Sequence, residues 1–148
     1  MVSNPGTIIE VCLALHLRRA TRRLTRLYDK ALAPYGLDTS QFNLLSVIAA
    51  LEAAPLTTVA EILDVDPSTL SRTLKPLKAQ NLLQIKGGRG RGGLTIKLTL
   101  QGNDTYNAAS TAWKSAQGQT TAIIGETQVG RLLDLLDNLA FSGRQPVE

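Results

Sequence analysis

The segment from Leu56 to Thr99 constrains the fold of this chain more than any other part of it. Its periodicity and turn residues predict a short helix, a tight turn, a second helix, a strand, a loop rich in Gly and Arg, and a second strand. Asp66 is placed to cap the second helix, and Pro67 occupies the first helical position, where a missing N–H costs nothing. This order of elements is that of a winged helix-turn-helix.

Long helices with narrow apolar seams are predicted on both sides of that segment. From about residue 8 to residue 33, apolar residues recur at alternating intervals of four and three, which is the pattern of a coiled coil. Such a helix is roughly 39 Å long at about 1.5 Å per residue, which is more than one small domain can cover. Thr99 is placed to cap another long helix, and Gly125 separates that helix from a final amphipathic one.

The predicted fold is therefore mainly α, a winged helix-turn-helix with a small β wing and a helical dimerisation bundle. We expect one unit over residues 1–148, in which residues 39–98 form the winged region. Residues 8–35 and 99–141 form the bundle in this prediction, because their seams lack a sufficient partner within one chain. A second copy of the chain is thus a predicted partner.

Positive charge is concentrated in the winged region. Between Ser68 and Lys97 the sequence has seven cations and no Asp or Glu, whereas the whole chain carries a net charge of only +4. The seven are Arg72, Lys75, Lys78, Lys86, Arg89, Arg91 and Lys97. Double-stranded DNA is the natural partner of such a field, because each neutralised phosphate releases condensed counterions. The alternative is a basic face that is merely solvated.

The second helix of the motif carries the predicted base-reading residues. Leu70, Leu74 and Leu77 share one face and are predicted to point into the core. The polar residues left outside are Ser68, Thr69, Ser71, Arg72, Lys75 and Lys78. Arg72 is the first candidate for base readout, because its guanidinium can donate a bidentate pair of hydrogen bonds to guanine O6 and N7. The two lysines further along the helix are expected to meet phosphates or solvent.

The loop Gly87–Gly93 joins the two predicted strands, which run roughly over residues 82–86 and 94–98. Its glycines permit close backbone approach, so Arg89 or Arg91 is expected to enter the minor groove or to hold its phosphates. Lys97, on the strand that leaves the loop, is expected to contact a phosphate. The run GGRGRGG also resembles the RGG segments of RNA-binding proteins, although a hairpin between ordered strands is a different context.

The composition argues against several other classes of protein. The chain has one His and one Cys, no paired carboxylates beside them, no Gly-x-Ser-x-Gly and no phosphate-binding loop, so we expect no enzyme, metal site or cofactor. A single cysteine excludes an internal disulfide, and the lack of a secretory leader pattern predicts a cytoplasmic protein. No apolar run approaches the roughly 20 residues that span a bilayer, so no membrane is expected as a partner.

Nearly the whole chain resembles the MarR family of transcriptional regulators. The matching segments are LAPYGLDTSQFNLLSVI, LTTVAEILDVDPSTLSRTLKPLKAQNLL and LTIKLTLQG. The resemblance implies a homodimer that reads a pseudo-palindrome in DNA and usually represses transcription until a small molecule or an oxidant releases it. The chain departs from the family at two positions. Gly90 precedes the wing arginine where the family commonly has Asp, and Asp64 stands at a turn position often held by Gly.

Cys12 resembles the lone N-terminal cysteine of the redox-sensing members of the family, although alignment on Tyr28 puts the sensing position at Ala14. Two interpretations stay open for it, a half-buried structural residue and an oxidant sensor. His16 and Tyr28 lie on the same predicted helix and are grouped with Cys12 as possible redox or ligand-sensing residues. For His16, the alternative is a hydrogen-bonded residue of an interface or pocket.

Five arginines form a dense basic patch on the first predicted helix. They are Arg18, Arg19, Arg22, Arg23 and Arg26. Such a patch is either a solvated or ion-paired face, with Asp104, Asp134 and Asp137 as candidate partners, or a supporting contact to phosphates.

The predicted function is a sequence-specific, double-stranded DNA-binding transcriptional regulator without catalytic activity. The alternative is a sequence-tolerant architectural protein that binds nucleic acid. The Gly/Arg loop and the overall basicity, with a pI near 9.5, favour that alternative.

Overall fold

A computed structural model describes residues 5–87 and 93–141. The helices are α1 Pro5–Val11, α2 Leu13–Leu32, α3 Thr39–Leu51, α4 Leu56–Leu63, α5 Pro67–Ala79, α6 Leu100–Ile124 and α7 Glu126–Phe141. The strands are β1 Ala54–Pro55, β2 Leu83–Lys86 and β3 Thr95–Leu98, and a 3-10 turn at Ala33–Tyr35 links α2 to α3. The mainly α fold with a small β wing is thereby confirmed.

The winged part, from α3 to β3, surrounds the apolar core. Leu44, Leu45 and Ile48 of α3 are completely buried, and so are Val59 of α4 and Leu77 of α5. Burying an aliphatic side chain of this size stabilises a fold by about 1.5–3 kcal/mol relative to leaving it in water. This core therefore fixes the position of α5, whose opposite side carries the polar residues.

The wing is a three-stranded antiparallel sheet in the order β1-β3-β2. Leu83 pairs with Leu98 and Ile85 with Ile96, while Ala54 of β1 meets Ile96 from the other side. The sequence predicted β2 and β3 but not β1. Its two residues, one of them a proline without an N–H, are too short a pattern to read, and a proline fits only at a sheet edge.

The start of α6 is fixed tightly against the winged part. Thr99 caps the helix as predicted, because its hydroxyl oxygen accepts from the Gly102 N–H at 2.9 Å. A Cβ at Gly102 would lie 2.0 Å from the Leu82 carbonyl oxygen, so only glycine allows this approach of helix to strand. Further along α6, Tyr106 and Trp113 stack on Phe42 of α3 at ring-centroid distances of 5.4 and 6.0 Å.

The first predicted helix is broken, contrary to the prediction of one helix from residue 8 to residue 33. Cys12 has φ −71° and ψ 101°, which is extended backbone between α1 and α2. The imidazole Nε2 of His16 donates to the Glu10 carbonyl oxygen at 3.1 Å, a side-chain contact at the break between the two helices. The branched side chains of α1 also lower its helix propensity.

The terminal helices leave large apolar side chains in water. Ile123 near the end of α6 is 74% exposed, and Leu133 of α7 is 54% exposed. Others on these helices are Ile8, Ile9, Val11, Leu13, Leu132 and Leu135. Within residues 5–87 and 93–141, no helix combines the length and apolar character needed to cross a bilayer.

Candidate nucleic-acid interface

The N-terminus of α5 is held by the carboxylate of Asp66, as the sequence predicted. This carboxylate accepts from the Ser68 hydroxyl at 2.5 Å, from the Thr69 hydroxyl at 2.7 Å and from the Thr69 N–H at 2.9 Å. The Ser68 hydroxyl, followed by the two groups of Thr69, holds the pKa of Asp66 well below its ordinary value. Asp66 is therefore ionised at neutral pH and keeps the first turn of α5 in one arrangement.

Ser68 and Arg72 form the outermost ridge of α5. At about 100° per residue, both lie on the side of the helix opposite the three buried leucines. Both are exposed, and the Arg72 guanidinium donates to the Ser68 hydroxyl at 3.4 Å. An exposed arginine on an anchored helix can exchange this long contact for a bidentate pair on a base edge.

Ser71, Lys75 and Lys78 occupy a second face of α5, which turns toward α4 and the wing. They line a largely apolar groove of about 620 Å³ that also contains Leu70, Leu74 and Ile85. Both lysine side chains are exposed. Their exposed ammonium groups add positive charge between the Ser68–Arg72 ridge and the wing, a position suited to phosphate contacts.

Thr69 lies on the third polar face of α5, toward α3. It is half-buried and lines a cavity of about 190 Å³ together with Thr73, Ser40 and Asn43. Sequence reasoning did not single out Ser40 or Asn43. Their spacing of three on α3 is a polar signal, but only the packing of α3 against α5 brings them beside Thr69.

The wing contributes Lys97, which is exposed on β3 opposite Gln84 of β2. Its neighbours Ile96 and Leu98 are buried, so the strand directs the lysine away from the core. Arg89 and Arg91, the predicted minor-groove residues, lie outside the described residues.

The structure does not bring the three candidate sensing residues together within one chain. Cys12 is half-buried at the break between α1 and α2, whereas Tyr28 donates to the Gln117 side chain of α6. Sixteen residues separate them, which is about 24 Å along a helix. His16 donates to the Glu10 carbonyl oxygen, so its side chain links α2 to α1 across the break. Among the residues that the structure describes, no three His, Cys, Asp or Glu side chains group as a metal site requires.

A buried helix-turn-helix core, an exposed polar ridge on α5 and a β wing define the chain as a winged helix-turn-helix of the transcription-regulator type. The M. tuberculosis transcriptional regulator MosR is 30% identical and has a TM-score of 0.79, over 90% of this chain and 98% of MosR. No model of a protein family matches the chain, and no curated protein does. The chain belongs to the MarR family.

Two further solved structures share the fold at lower identity. An E. coli MarR variant complexed with operator DNA is 20% identical, with a TM-score of 0.79 over 89% of this chain and 96% of that one. CouR from Rhodococcus jostii RHA1, bound to p-coumaroyl-CoA, is 23% identical, with a TM-score of 0.78 over 92% and 95%. MosR has also been solved in complex with DNA. These relatives are regulators of transcription and not enzymes.

Proposed function

We propose that the protein is a homodimeric, sequence-specific regulator of transcription that binds double-stranded DNA. In this proposal it acts in the cytoplasm as a repressor of a pseudo-palindromic operator. A small ligand or an oxidant then releases it. Residues 39–98 read the DNA, and residues 8–35 and 99–141 join the two copies.

The observation that carries the proposal is the Ser68–Arg72 ridge. It combines an exposed guanidinium, a helix fixed from below by buried leucines and a first turn held by Asp66. Preorganisation of this kind favours base readout, because little side-chain and backbone freedom is lost on binding. MosR, at 30% identity, has been solved in complex with DNA, which supports DNA as the partner.

Dimerisation is supported by the exposed apolar side chains of the terminal helices. Ile123 and Leu133 would be covered by a second copy, which removes their apolar surface from water. Two recognition helices related by a two-fold axis then meet successive major grooves about 34 Å apart. The second half of the proposal, release by an effector, rests on the ligand-bound structure of CouR and on the family.

The proposal is tested by selecting a preferred duplex from a random pool and measuring two variants on it. Arg72→Ala should cost roughly 1–3 kcal/mol per half-site and relax discrimination at one base position, because a bidentate contact is lost. Lys97→Ala is the matched control and should weaken selected and random duplexes by the same factor. Equal losses on both duplexes for Arg72→Ala would contradict its role as the reader.

The same experiment distinguishes the architectural alternative. A sequence-tolerant protein would yield no preferred duplex from the pool and would bind random duplex, and single-stranded RNA, as tightly as any selected fragment.

A further inference from the structure

We propose that the arginine patch of α2 is a second contact surface for the DNA backbone. It lies beside the winged region of the same protomer, residues 39–98, which we call the reading head. This inference rests on the proposed function and extends its contact surface beyond α5 and the wing. The patch consists of Arg18, Arg19, Arg22, Arg23 and Arg26, all of them exposed.

The charge of the patch is not balanced on its own helix. Between Leu13 and Tyr28 the sequence has five arginines and no Asp or Glu. The next acid, Asp29, accepts from both the N–H and the hydroxyl of Thr39, at 2.8 and 2.5 Å. Asp29 is thus already engaged at the start of α3. Four of the arginines, Arg19, Arg22, Arg23 and Arg26, line one groove on α2.

The patch also points away from the surfaces that other parts of the molecule require. Tyr28 contacts α6, and Leu17 and Leu24 lie within about 40° of it on the helix. Arg22 and Arg26 lie about 120–160° from Tyr28. Neither the core nor a partner helix on the leucine seam therefore covers them, which leaves this face of α2 to an external ligand.

A continuous surface joins the patch to the reading head. Thr39 begins α3, and its hydroxyl oxygen lies 3.5 Å from the Thr25 carbonyl oxygen, so the first turn of α3 lies on α2 one turn from Arg22. The next residues of α3, Ser40 and Asn43, line the cavity that they share with Thr69 of α5. The path from recognition helix to arginine patch thus runs across a single turn of α3.

Duplex DNA is the occupant that this arrangement fits. Guanidinium groups bind phosphate through paired hydrogen bonds, and a row of them along a helix can follow a backbone strand. The acids that could compete are Asp104 of α6 and Asp134 and Asp137 of α7, but within the described residues none of them forms an ion pair with the patch.

The test compares salt dependence in full-length protein on the selected duplex and on random duplex. If wild type contacts six to ten phosphates per dimer, its log K should fall with log salt at a slope of about −5 to −9. Replacing Arg22→Gln together with Arg26→Gln removes four cations per dimer. We expect the slope to become shallower by about 2–4 and both duplexes to weaken by the same factor, roughly tenfold or more at physiological salt.

Two controls separate this effect from changes in folding. Arg22→Lys with Arg26→Lys keeps the charge and should keep the wild-type slope, and Lys114→Ala removes an exposed cation of α6 and should change nothing. Melting temperatures of all variants are compared. If the Gln variant retains the wild-type slope, the inference is overturned, and it is equally overturned if that variant loses only its response to a small anionic effector. A wild type that prefers no duplex would instead refute the proposed function.

Discussion

The winged part and the terminal helices of this protein carry similar apolar patterns, but within one chain the winged part buries most of its apolar residues and the terminal helices leave many of theirs exposed. In the winged part, Leu70, Leu74 and Leu77 of α5 are at most 8% exposed. In α7, Leu132 and Leu139 are 37% and 54% exposed although they are seven residues apart and so share one face of the helix. The difference shows that apolar periodicity identifies which helix face is suited to burial. Whether that face is buried within one chain depends on whether another element of the chain packs against it.

Helix α6 belongs to both regions, because it buries apolar residues along its middle and exposes one near its end. Ala109 and Ala116 are buried against the rest of the chain, whereas Ile123, two turns further on, is mostly exposed. The core of the winged part is therefore complete in a single protomer, and we expect a second copy to cover the exposed end of α6 and α7.

The largest effect is expected from charging the uncovered surface. Ile123→Asp combined with Leu133→Asp should convert the dimer to a monomer in sedimentation, because two carboxylates per protomer would be buried without partners. Affinity for the selected duplex should then fall by roughly a hundredfold or more, since each half-site is held alone. Asn138→Asp adds a charge on the opposite side of α7 and should leave the dimer intact. A wild type that sediments as a monomer at micromolar concentration would refute the comparison itself.

A smaller effect is expected from two glycines of α6 that lie in the two regions. Gly102→Ala should lower the free energy of unfolding by about 2–3 kcal/mol, because the new Cβ collides with the Leu82 carbonyl oxygen. Gly118→Ala meets no atom within 4 Å in the chain and should raise stability by about 0.5–1 kcal/mol through helix propensity. Denaturant unfolding measures both. Equal changes for the two variants would show that the tight approach at Gly102 does not stabilise the winged part.

The smallest effect is a pH dependence at the start of α5. The pKa of Asp66 is lowered in the folded chain, mainly by the Ser68 hydroxyl, so on acidification the unfolded chain takes up this proton first. The stabilisation by Asp66 is therefore complete above the ordinary pKa of 3.8 and is lost as the pH falls toward the lowered value. Wild type should melt at a higher temperature than Asp66→Ala at pH 6, with the gap narrowing below about pH 4. A gap that stays constant down to pH 2 would contradict the assignment, and Asp134→Ala serves as the control.

Local chemistry made much of the fold predictable. Asp66 and Thr99 cap their helices as predicted, and Asp64 adopts φ 51° and ψ 48° at the turn, where Asp tolerates the left-handed region. The break at Cys12 was not predictable, because neither Gly nor Pro signals it. The contact of Thr39 with Asp29 depends on how the turn after α2 packs α3 against that helix, which periodicity does not encode.

The candidate site was predictable in composition but not in arrangement. Helical spacing identified the polar residues of α5 that avoid the core and separates them around the helix, but only the packing shows which of them face the wing groove and which face α3. The sequence also left the hydroxyls of Ser68 and Thr69 available to DNA, whereas both donate to Asp66 in the free protein. Such choices among competing partners depend on side-chain geometry, which residue type alone does not determine.

The central claim is that each protomer has a fully packed reading head and that the exposed apolar faces of the terminal helices join two protomers. The spacing of the two half-sites in the DNA tests this claim most directly. The measurement is the affinity of the full-length protein for the selected duplex and for the same duplex with about five base pairs inserted between the half-sites, which rotates one by half a helical turn. The account predicts a loss of roughly a hundredfold or more, since a rigid dimer can no longer place both recognition helices in the major groove. Equal affinity for the two duplexes would contradict it.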